Sequence, residues 1–524
     1  MNTKTHDVII AGGGLAGLSL AHQIKQSQPE ADILVVERNT FPIPEKTSKV
    51  GESTVEIGSH YLNNTLNLQS HFNDRHLRKH GLRCFFGEPQ NDFSQQDELG
   101  VSELFGIPAY QIDRGAIENY LHQLLSSEGV EVIDGAHTTG ITVTEKLKTI
   151  SITTQAGEQQ RSGRWIVDAA GRQALLKKEL DLEKSNDHQG NAVWFRIDRQ
   201  VQLDNWSADS AWQQRIQQPN TRWLSTNHLM GPGYWVWVIP LDNGATSIGV
   251  VMDDQVFAEH DFSSYETTMD WLRERHPRCA EAVEGADVLD YVVINDYSLS
   301  CKQMFSDQRW GITGEAGVFA DPFYSPGSDF IALNNSFISH LVSEDMLSRD
   351  IRMQSRLFQS FNQSFFDNTL SLYTGQYGGF GDRRMMSLKL VWDYAFYWGV
   401  LSLLFFKSAI TDVVLMRELN PILRKAQMHN QHAQALFRAR SARRLQLPAQ
   451  GVFMNQYEIP LLRNLNKTLA NADQIDTRSA LIDNVAQLQR LLIYVEEMLS
   501  ESASTSASMD EQDLLGDYRR CVLA

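Results

Sequence analysis

Three glycines near the start of the chain have the spacing of a dinucleotide-binding turn. Gly12, Gly14 and Gly17 form a GxGxxG pattern directly after a β-branched run. In such a pattern the first glycine permits a tight turn, the second lets the backbone approach a pyrophosphate, and the third lets a helix pack on a strand. Glu37 ends the next strand-like run, where a carboxylate can accept hydrogen bonds from ribose hydroxyls. These residues predict a dinucleotide site, with a glycine turn that binds no ligand as the alternative.

Three later stretches favour FAD over NAD. They read YQIDRGAIENYL, RWIVDAAGR and WGITGEAGVFADPFYSPGSDFIALNN, and they resemble the flavin-contacting motifs of para-hydroxybenzoate-hydroxylase-type flavoproteins. The resemblance implies that Arg114 approaches the FAD phosphates or ribose, that Gly171 forms a second turn, and that Glu315 replaces an aspartate that holds ribityl or ribose hydroxyls. A helix starting near Gly327 would direct its N-terminal amides at the isoalloxazine ring, where the helix dipole stabilises an anionic reduced flavin.

A second motif of the GxGxxG type does not follow a strand elsewhere in the sequence. A dedicated NAD(P)H domain is therefore not expected. Either a separate flavin reductase supplies reduced FAD, or a nicotinamide visits the site transiently.

The strand-like stretch GYWVWVIP carries two tryptophans two positions apart. In a strand, Trp235 and Trp237 share one face and the intervening valines share the other. Two core tryptophans on a half-buried strand would give the same pattern. The segment Trp235–Pro240 also matches the WxWxIP signature of flavin-dependent halogenases, and residues 5 to about 410 resemble this tryptophan-halogenase-like superfamily. The resemblance implies that both indoles form a wall, which holds an organic substrate away from the activated flavin but lets halide pass.

Lys79 is the candidate carrier of the halogen. The segment RKHGLRCFFGE resembles the family's KHG-aromatic segment, and VGEST, with Gly51, Glu52 and Ser53, resembles its stretch beside the flavin. The resemblance implies that Lys79 hydrogen-bonds hypohalous acid or becomes a haloamine. Such a role needs a partly buried amine, because desolvation lowers the pKa and leaves a neutral, nucleophilic fraction. A surface lysine in a basic cluster is the alternative.

The loop DPFYSPGSD departs from the family pattern at two positions. Tyr324, a candidate catalytic residue, replaces the glutamate of tryptophan halogenases; phenol and pyrrole halogenases also carry an aromatic residue there, so free tryptophan is the less favoured substrate. Pro326 replaces a threonine whose N–H is inferred to bind halide, and proline has no N–H. Halide binding is then expected to use Gly327, Ser325, Ser328 or ordered water. Loss of one hydrogen bond to a charged group, about 1.5–3 kcal/mol, would weaken halide affinity ~10–100-fold.

The elements between these motifs predict an α/β (α+β) protein. A Rossmann-type FAD-binding domain of the para-hydroxybenzoate-hydroxylase type would carry an antiparallel substrate-side sheet and a helical C-terminal region. A new helical stretch is expected to start at Asn420–Pro421. The expected boundaries are residues 1–190 and 301–345 for the FAD-binding domain, 191–300 for the sheet, and 346–524 for helices that cover the substrate site.

Composition excludes some classes of partner. The net charge of −17 argues against binding to nucleic acid or to anionic membrane surfaces. The four cysteines show no metal-ligand spacing, so reduced thiols, no metal and a cytoplasmic location are expected. The N-terminal sequence has no signal-peptide pattern. The apolar run Tyr394–Phe406 is too short for a bilayer, which needs about 20 residues, and predicts a buried helix, with contact to a lipid surface as the alternative.

Together the motifs predict an FAD-dependent halogenase that acts on an electron-rich aromatic ring, either free or tethered to a carrier protein. The resemblance implies that reduced FAD and O2 oxidise chloride or bromide to hypohalous acid, and that Lys79 carries the electrophilic halogen past Trp235 and Trp237. The alternative is an FAD-dependent monooxygenase on the same scaffold, with Pro326 marking lost halide use. A flavoprotein without enzymatic activity is a third interpretation, and the intact FAD motifs count against it.

Overall fold

The computed structural model of the chain describes residues 5–46, 49–88, 92–145, 147–257, 262–500 and 514–523. The strands, in chain order, are β1 (Thr5–Ala11), β2 (Ile33–Val36), β3 (Leu77–Arg78), β4 (Leu82–Phe86), β5 (Asp97–Gly100), β6 (Tyr110–Gln111), β7 (Glu131–Ile133), β8 (His137–Val143), β9 (Lys148–Thr154), β10 (Gly157–Asp168), β11 (Glu183–Lys184), β12 (Asn191–Ile197), β13 (Thr226–Gly231), β14 (Tyr234–Pro240), β15 (Thr246–Met252), β16 (Val288–Ile294), β17 (Ser300–Cys301), β18 (Phe305–Ser306), β19 (Trp310–Ile312) and β20 (Phe453–Asn455).

The helices, in chain order, are α1 (Leu15–Ser27), α2 (Glu56–His60), α3 (Gln69–Arg75), α4 (Arg114–Ser127), α5 (Leu175–Glu179), α6 (Ser210–Gln213), α7 (Tyr265–Arg275), α8 (Pro277–Val283), α9 (Gly327–Met346), α10 (Arg352–Leu370), α11 (Arg383–Phe396), α12 (Leu403–Phe406), α13 (Val413–Ser441), α14 (Pro460–Ala470), α15 (Thr477–Leu499) and α16 (Tyr518–Leu523). Two π-helical turns, Tyr61–Thr65 and Tyr397–Ser402, continue α2 and α11.

The first sheet has the strand order β18-β19-β10-β1-β2-β7. Strands β19, β10, β1, β2 and β7 pair in parallel, and β9 and β8 extend the sheet as an antiparallel meander from β10. Helices α1, α4 and α9 pack together beside this sheet. A parallel sheet that follows a glycine-rich strand-to-helix turn is a Rossmann-type arrangement, so the predicted fold class is confirmed.

The second sheet has the order β16-β12-β15-β14-β13-β4-β5-β20 and is mainly antiparallel. Its central strand β14 places Trp235, Trp237 and Ile239 in the main core, whereas Val236 and Val238 pack in a separate core against α7 and α8. The shared face that the period-two pattern predicts for the tryptophans is therefore present. The sheet also takes β4 and β5 from within residues 1–190 and β20 from within 346–524, outside the interval expected for it.

Among the C-terminal helices, α10 packs against β18 of the first sheet and α16 packs against β20 of the second. By length and composition, Arg383–Phe406 is a helical stretch that could cross a membrane, but 83% of its most apolar window is buried inside the protein. Within the described residues this segment thus packs as a core helix, and its burial argues against the lipid-contact interpretation of 394–406. Helix α13 begins at Val413, not at Asn420–Pro421, and continues through Pro421. The segment 501–509, predicted to be a linker, lies outside the described residues.

Candidate active site

The glycine turn joins β1 to α1 at the carboxyl edge of the first sheet. Gly12 has a φ of 111°, and a Cβ there would lie 2.2 Å from the carbonyl oxygen of Ala169. A Cβ on Gly17 would lie 1.9 Å from the carbonyl oxygen of Gly12. Gly14 is the N-cap of α1, so the helix begins immediately after it. The packing therefore requires glycine at the first and third positions of the motif.

Two backbone N–H groups at this turn donate hydrogen bonds to carboxylates. Glu37 accepts a hydrogen bond from the N–H of Gly13 at 2.7 Å, and Glu118 accepts one from the N–H of Leu15 at 3.3 Å. Glu37 is 7% exposed and directly follows β2. The turn thus presents N–H donors to anionic oxygens, which is the chemistry that a pyrophosphate needs.

Arg114 connects the start of α4 to the segment that contains Gly51. Its guanidinium donates to the carbonyl oxygen of Val50 at 2.7 Å and to Glu118 at 2.8 Å. Gly51 has a φ of 95°, and a Cβ there would lie 2.8 Å from the Arg114 Nη1. Close by in sequence, the buried Glu52 lies 3.5 Å from an arginine of β12. Burial raises the pKa of Glu52 to about 7, although that arginine, Arg196, lowers it.

Gly171 and Glu315, which are also predicted to contact FAD, lie at the same edge of the sheet. Gly171 follows β10 with a φ of 60°, and a Cβ there would meet nothing within 4 Å. Glu315 follows β19, and its carboxylate pairs with the Nε of Arg172 at 3.1 Å. Gly327, at the start of α9, also has nothing within 4 Å of a Cβ position. The carboxyl ends of β1, β2, β10 and β19 therefore lie at one edge of the sheet and carry amide donors and carboxylates suited to FAD.

Lys79 is buried, with 4% of its surface exposed. Its Nζ donates to Ser53 Oγ at 2.9 Å and to the carbonyl oxygen of Thr54 at 3.1 Å, so it lies against the segment predicted to lie beside the flavin. Burial lowers its pKa to about 8, while the carboxylates of Glu56 and Asp329 raise it. The alternative of a surface lysine is therefore wrong, and the partly desolvated amine that the proposed chemistry needs is present.

The two tryptophans of β14 are almost fully buried, at 1% exposed for Trp235 and 3% for Trp237. Their ring centroids are 5.8 Å apart. The Trp237 Nε1 donates to Ser247 Oγ at 3.1 Å, and the Trp235 ring packs edge-on against Phe323 at 5.1 Å and against His228 at 5.0 Å. Neither indole lines the apolar cavity described below. Their action as a wall between substrate and flavin stays a prediction.

The predicted halide loop runs directly into α9. Pro326 is the N-cap, so the N–H groups of Gly327 and Ser328 are the first of the helix and have no partner within it. Ser325 has a φ of 57°, and its own N–H donates to the carbonyl oxygen of Pro322 at 2.9 Å. Of the three predicted halide contacts, Gly327 and Ser328 offer backbone donors, and the amide of Ser325 is already used in the turn.

Two buried carboxyl groups lie near the Lys79 amine. Asp329 accepts hydrogen bonds from the N–H of Gly58 at 2.8 Å and from the Tyr397 hydroxyl at 2.7 Å. Burial raises the pKa of Asp329 to about 7. Burial also raises the pKa of Glu56. Asp329 can therefore hold a proton near neutral pH, beside the amine whose charge both carboxyl groups influence.

A mostly apolar cavity lies between the start of α9 and helices α10, α11 and α13. Tyr324, Pro326 and Asp329 from the halide loop contribute to its wall. Val55, which follows the Lys79-bound Thr54 in sequence, also lines it. The remaining lining residues are Phe365, Asn368, Thr369, Leu372, Tyr373, Asp393, Tyr394, Phe396, Tyr397, Leu401 and Asn430. Its position next to the halide loop and to the segment that Lys79 contacts makes it the candidate substrate pocket.

Comparison with known proteins bears on this arrangement. A family model described as Tryptophan halogenase matches residues 89–351. The chain belongs to the tryptophan halogenase family. It is 25% identical over 434 residues to the flavin-dependent halogenase chlA of Dictyostelium discoideum, covering 76% of this chain and 70% of that protein. It is also 25% identical over 362 residues to a 1H-pyrrole-2-carbonyl-[peptidyl-carrier protein] chlorinase of Pseudomonas fluorescens, covering 65% of this chain and 76% of that one.

Solved structures show the same fold. The structure of halogenase PltM in complex with phloroglucinol and FAD superposes with a TM-score of 0.65 at 17% identity, covering 95% of this chain and 97% of that chain. Membership of this halogenase family confirms the expected resemblance and the use of FAD, and the comparisons do not favour the monooxygenase alternative. They do not test the individual site residues, whose roles stay predictions.

Sequence reasoning missed two polar residues around the candidate site. Asp321 is fully buried at the start of the halide loop, and Asp393 lines the pocket from α11. The loop sequence itself contains Asp321, but its partners come from distant segments, so no local spacing could reveal them. Asp393 directly precedes the apolar run Tyr394–Phe406, whose Tyr397 lines the same pocket.

Proposed function

We propose that this protein halogenates an electron-rich aromatic substrate, using reduced FAD, O2 and chloride or bromide. The observation that carries the proposal is the buried Lys79 amine. It contacts Ser53 and the Thr54 carbonyl, in the segment predicted to lie beside the flavin, and the next residue, Val55, lines the mostly apolar pocket. A separate flavin reductase would supply the reduced FAD.

When bound, reduced FAD would supply, with O2, the two-electron oxidation of halide. The residues that would hold FAD are the glycines of the β1–α1 turn with Glu37, Arg114 and Glu315. The N–H groups of Gly327 and Ser328 would hold the halide at the start of α9. Lys79, with its lowered pKa, would accept the electrophilic halogen or donate a hydrogen bond to hypohalous acid, and so deliver the halogen into the pocket.

The pocket supports an aromatic substrate because most of its lining consists of aromatic and aliphatic side chains. One similar protein is named a chlorinase of a pyrrole bound to a peptidyl carrier protein, and one structural neighbour holds phloroglucinol, a phenol. These names support the inclusion of both free and carrier-tethered rings among candidate substrates. The aromatic Tyr324 in place of a glutamate supports phenols and pyrroles over free tryptophan.

The test is a halogenation assay with purified protein, FAD, a flavin reductase, NADH and bromide or chloride. Phenols, pyrroles and indoles are offered free and as carrier-protein thioesters, and products are followed by mass spectrometry. Wild-type protein is expected to add halogen, and Lys79→Ala is expected to lose at least 100-fold in product formation, on the order of a lost catalytic group. Arg78→Ala is the matched control, because Arg78 is exposed and adjacent. An oxygenated product without halogen would overturn the proposal.

A further inference from the structure

A buried carboxylate forms part of the wall of the candidate substrate pocket. Asp393, on α11, lines the pocket and is 5% exposed. It accepts hydrogen bonds from the Tyr324 hydroxyl at 2.7 Å, from the Lys389 Nζ at 2.9 Å and from the Gln434 Nε2 at 2.8 Å. Since a carboxylate has about four acceptor positions, one position remains after these three donors.

The cation behind Asp393 is deeply buried. Lys389 has no exposed surface and also donates to Gln434 at 3.1 Å. Replacing a buried ion pair by apolar residues is often neutral or stabilising, so stability alone gives little reason to keep this pair next to a pocket. A charged acceptor that faces a pocket is better explained by what the pocket binds.

Tyr324 is held as a neutral phenol. Burial and the adjacent Asp393 carboxylate raise its pKa well above the ordinary range. Because its hydrogen points at Asp393, the lone pairs of its oxygen can accept a hydrogen bond from the pocket. Tyr324 thus extends the acceptor surface of Asp393 towards Pro326 and the halide loop.

Two asparagines extend the polar cluster around Asp393, since Gln434 donates to both Asp393 and Asn430. Asn368 and Asn430 both line the pocket, and the Asn430 Nδ2 donates to the Asn368 Oδ1 at 3.2 Å. The Asn430 Oδ1 accepts from the Trp392 Nε1 at 2.9 Å. Val55 and the carboxyl group of Asp329 also line the pocket, and Asp329 accepts from the N–H of Gly58, close to the segment that contacts Lys79. The pocket wall therefore combines an acceptor-rich cluster around Asp393 with residues next to the segment that contacts Lys79.

We propose that Asp393, together with Tyr324, is a specificity site that accepts a hydrogen bond from an O–H or N–H on the aromatic substrate. The inference rests on the proposed function and narrows its substrate class to rings with a free donor, such as phenols and N–H pyrroles. O-alkylated and N-alkylated rings would be disfavoured. The hydrogen bond orients the ring towards Lys79, and it also raises the electron density of the ring, which favours attack on an electrophilic halogen.

The test measures binding without turnover. Resorcinol and 1,3-dimethoxybenzene are titrated into the FAD-loaded protein by calorimetry, with no reductant and no halide. Wild-type protein is expected to bind resorcinol ~10–100-fold more tightly than its dimethyl ether, the range for one hydrogen bond to a charged group. Asp393→Asn is expected to reduce this ratio to less than about 3-fold while the affinity for 1,3-dimethoxybenzene, which reports an intact pocket, stays within about 2-fold.

A second variant covers the case in which Asp393→Asn leaves Lys389 unpaired and fails to fold. Lys389→Met combined with Asp393→Asn removes both charges together and is expected to give the same loss of preference. A resorcinol preference that persists in either folded variant would overturn the inference. Halogenation by wild-type protein is assayed separately. If wild type halogenates but binds resorcinol and 1,3-dimethoxybenzene equally well, the specificity site is refuted and the proposed function stands. If the variants lose the resorcinol preference but wild type does not halogenate any substrate, the proposed function is refuted and the specificity site stands.

Discussion

The indole Nε1–H of Trp235 donates a hydrogen bond to the hydroxyl oxygen of Tyr377 across 3.0 Å. Tyr377 in turn donates to the Asp321 Oδ2 at 2.6 Å, and the same oxygen accepts from Tyr297 at 2.6 Å and from the His188 Nε2 at 2.7 Å. All five side chains are buried, and Asp321 begins the loop that leads to Tyr324 and α9. The network therefore links the orientation of one indole to the position of the halide loop.

Substitution of Tyr377 by phenylalanine is expected to destabilise the protein by about 1–3 kcal/mol, because the buried Trp235 Nε1–H would lose its acceptor and Asp321 would lose a donor. Tyr297→Phe is the matched control, since it removes a donor to Asp321 but leaves the Trp235 bond intact. The free energy of unfolding from urea titrations of both variants checks this. If Tyr297→Phe costs as much as Tyr377→Phe, the bond to Trp235 makes no separate contribution.

Local patterns in the sequence predicted the parts of the fold that depend on neighbouring residues. The strand Ile33–Val36, the helix beginning at Gly327 and the common face of Trp235 and Trp237 follow from hydrophobic period and glycine positions. The start of α13 was predicted too late, because Pro421 reads as a helix start. In the structure Pro421 lies inside a long helix that Asp412 caps, with its side chain accepting from the Leu415 N–H.

Contacts between distant segments could not be read from the sequence. The pairing of β4 with β13, and of β20 with β5, joins residues far apart in the chain and places them in one sheet. The bond between Tyr324 and Asp393 likewise joins a loop to a helix 69 positions later. Lys79 was assigned from a family motif, but its burial and its contacts with Ser53 and Thr54 required the structure.

Halogenation should depend on pH through the Lys79 amine. Burial lowers the pKa of Lys79 to about 8, and Glu56 and Asp329 oppose this shift. If the neutral amine takes up the halogen, kcat rises with pH, about tenfold per pH unit well below 8, and levels off above 8. The profile is measured between pH 6 and 9 with saturating halide and reductase, and with flavin reduction assayed separately. A rate that falls across this range would instead identify the protonated ammonium, donating to hypohalous acid, as the active form.

The lowered pKa of Lys79 also predicts that the free energy of unfolding depends on pH. The pKa of Lys79 in the folded protein lies below the ordinary lysine value of 10.5, so the unfolded chain binds more protons between pH 8 and pH 10.5. The contribution of Lys79 to the free energy of unfolding therefore rises with pH across that window. Lys79→Met should remove this rise, so urea denaturation of wild type and variant at pH 8 and pH 10 provides the check.

Restoring a backbone N–H at position 326 should strengthen halide binding. Pro326 caps α9 without an amide hydrogen, next to the donors of Gly327 and Ser328. Pro326→Ala adds that donor, and a ~10-fold or greater decrease in the bromide KM is expected from a hydrogen bond to a charged group. Pro326→Thr should give a similar decrease, because the backbone supplies the donor in both variants. A large effect of threonine without an effect of alanine would assign the change to the added hydroxyl.

Replacement by alanine at two glycines of the β1–α1 turn should have different effects on stability and on FAD affinity. At Gly17 the new Cβ would lie 1.9 Å from the carbonyl oxygen of Gly12, so Gly17→Ala should destabilise the FAD-free protein by about 1–3 kcal/mol and also weaken FAD binding. At Gly14 the nearest atom, in Glu118, is 4.0 Å away and φ is −82°, so the FAD-free fold should tolerate alanine. The added methyl group would still obstruct the approach of a pyrophosphate to the turn, and FAD affinity should fall. Urea denaturation of the FAD-free variants and FAD titrations followed by flavin fluorescence separate these effects. Unchanged FAD affinity in Gly14→Ala would show that the pyrophosphate does not lie against this turn.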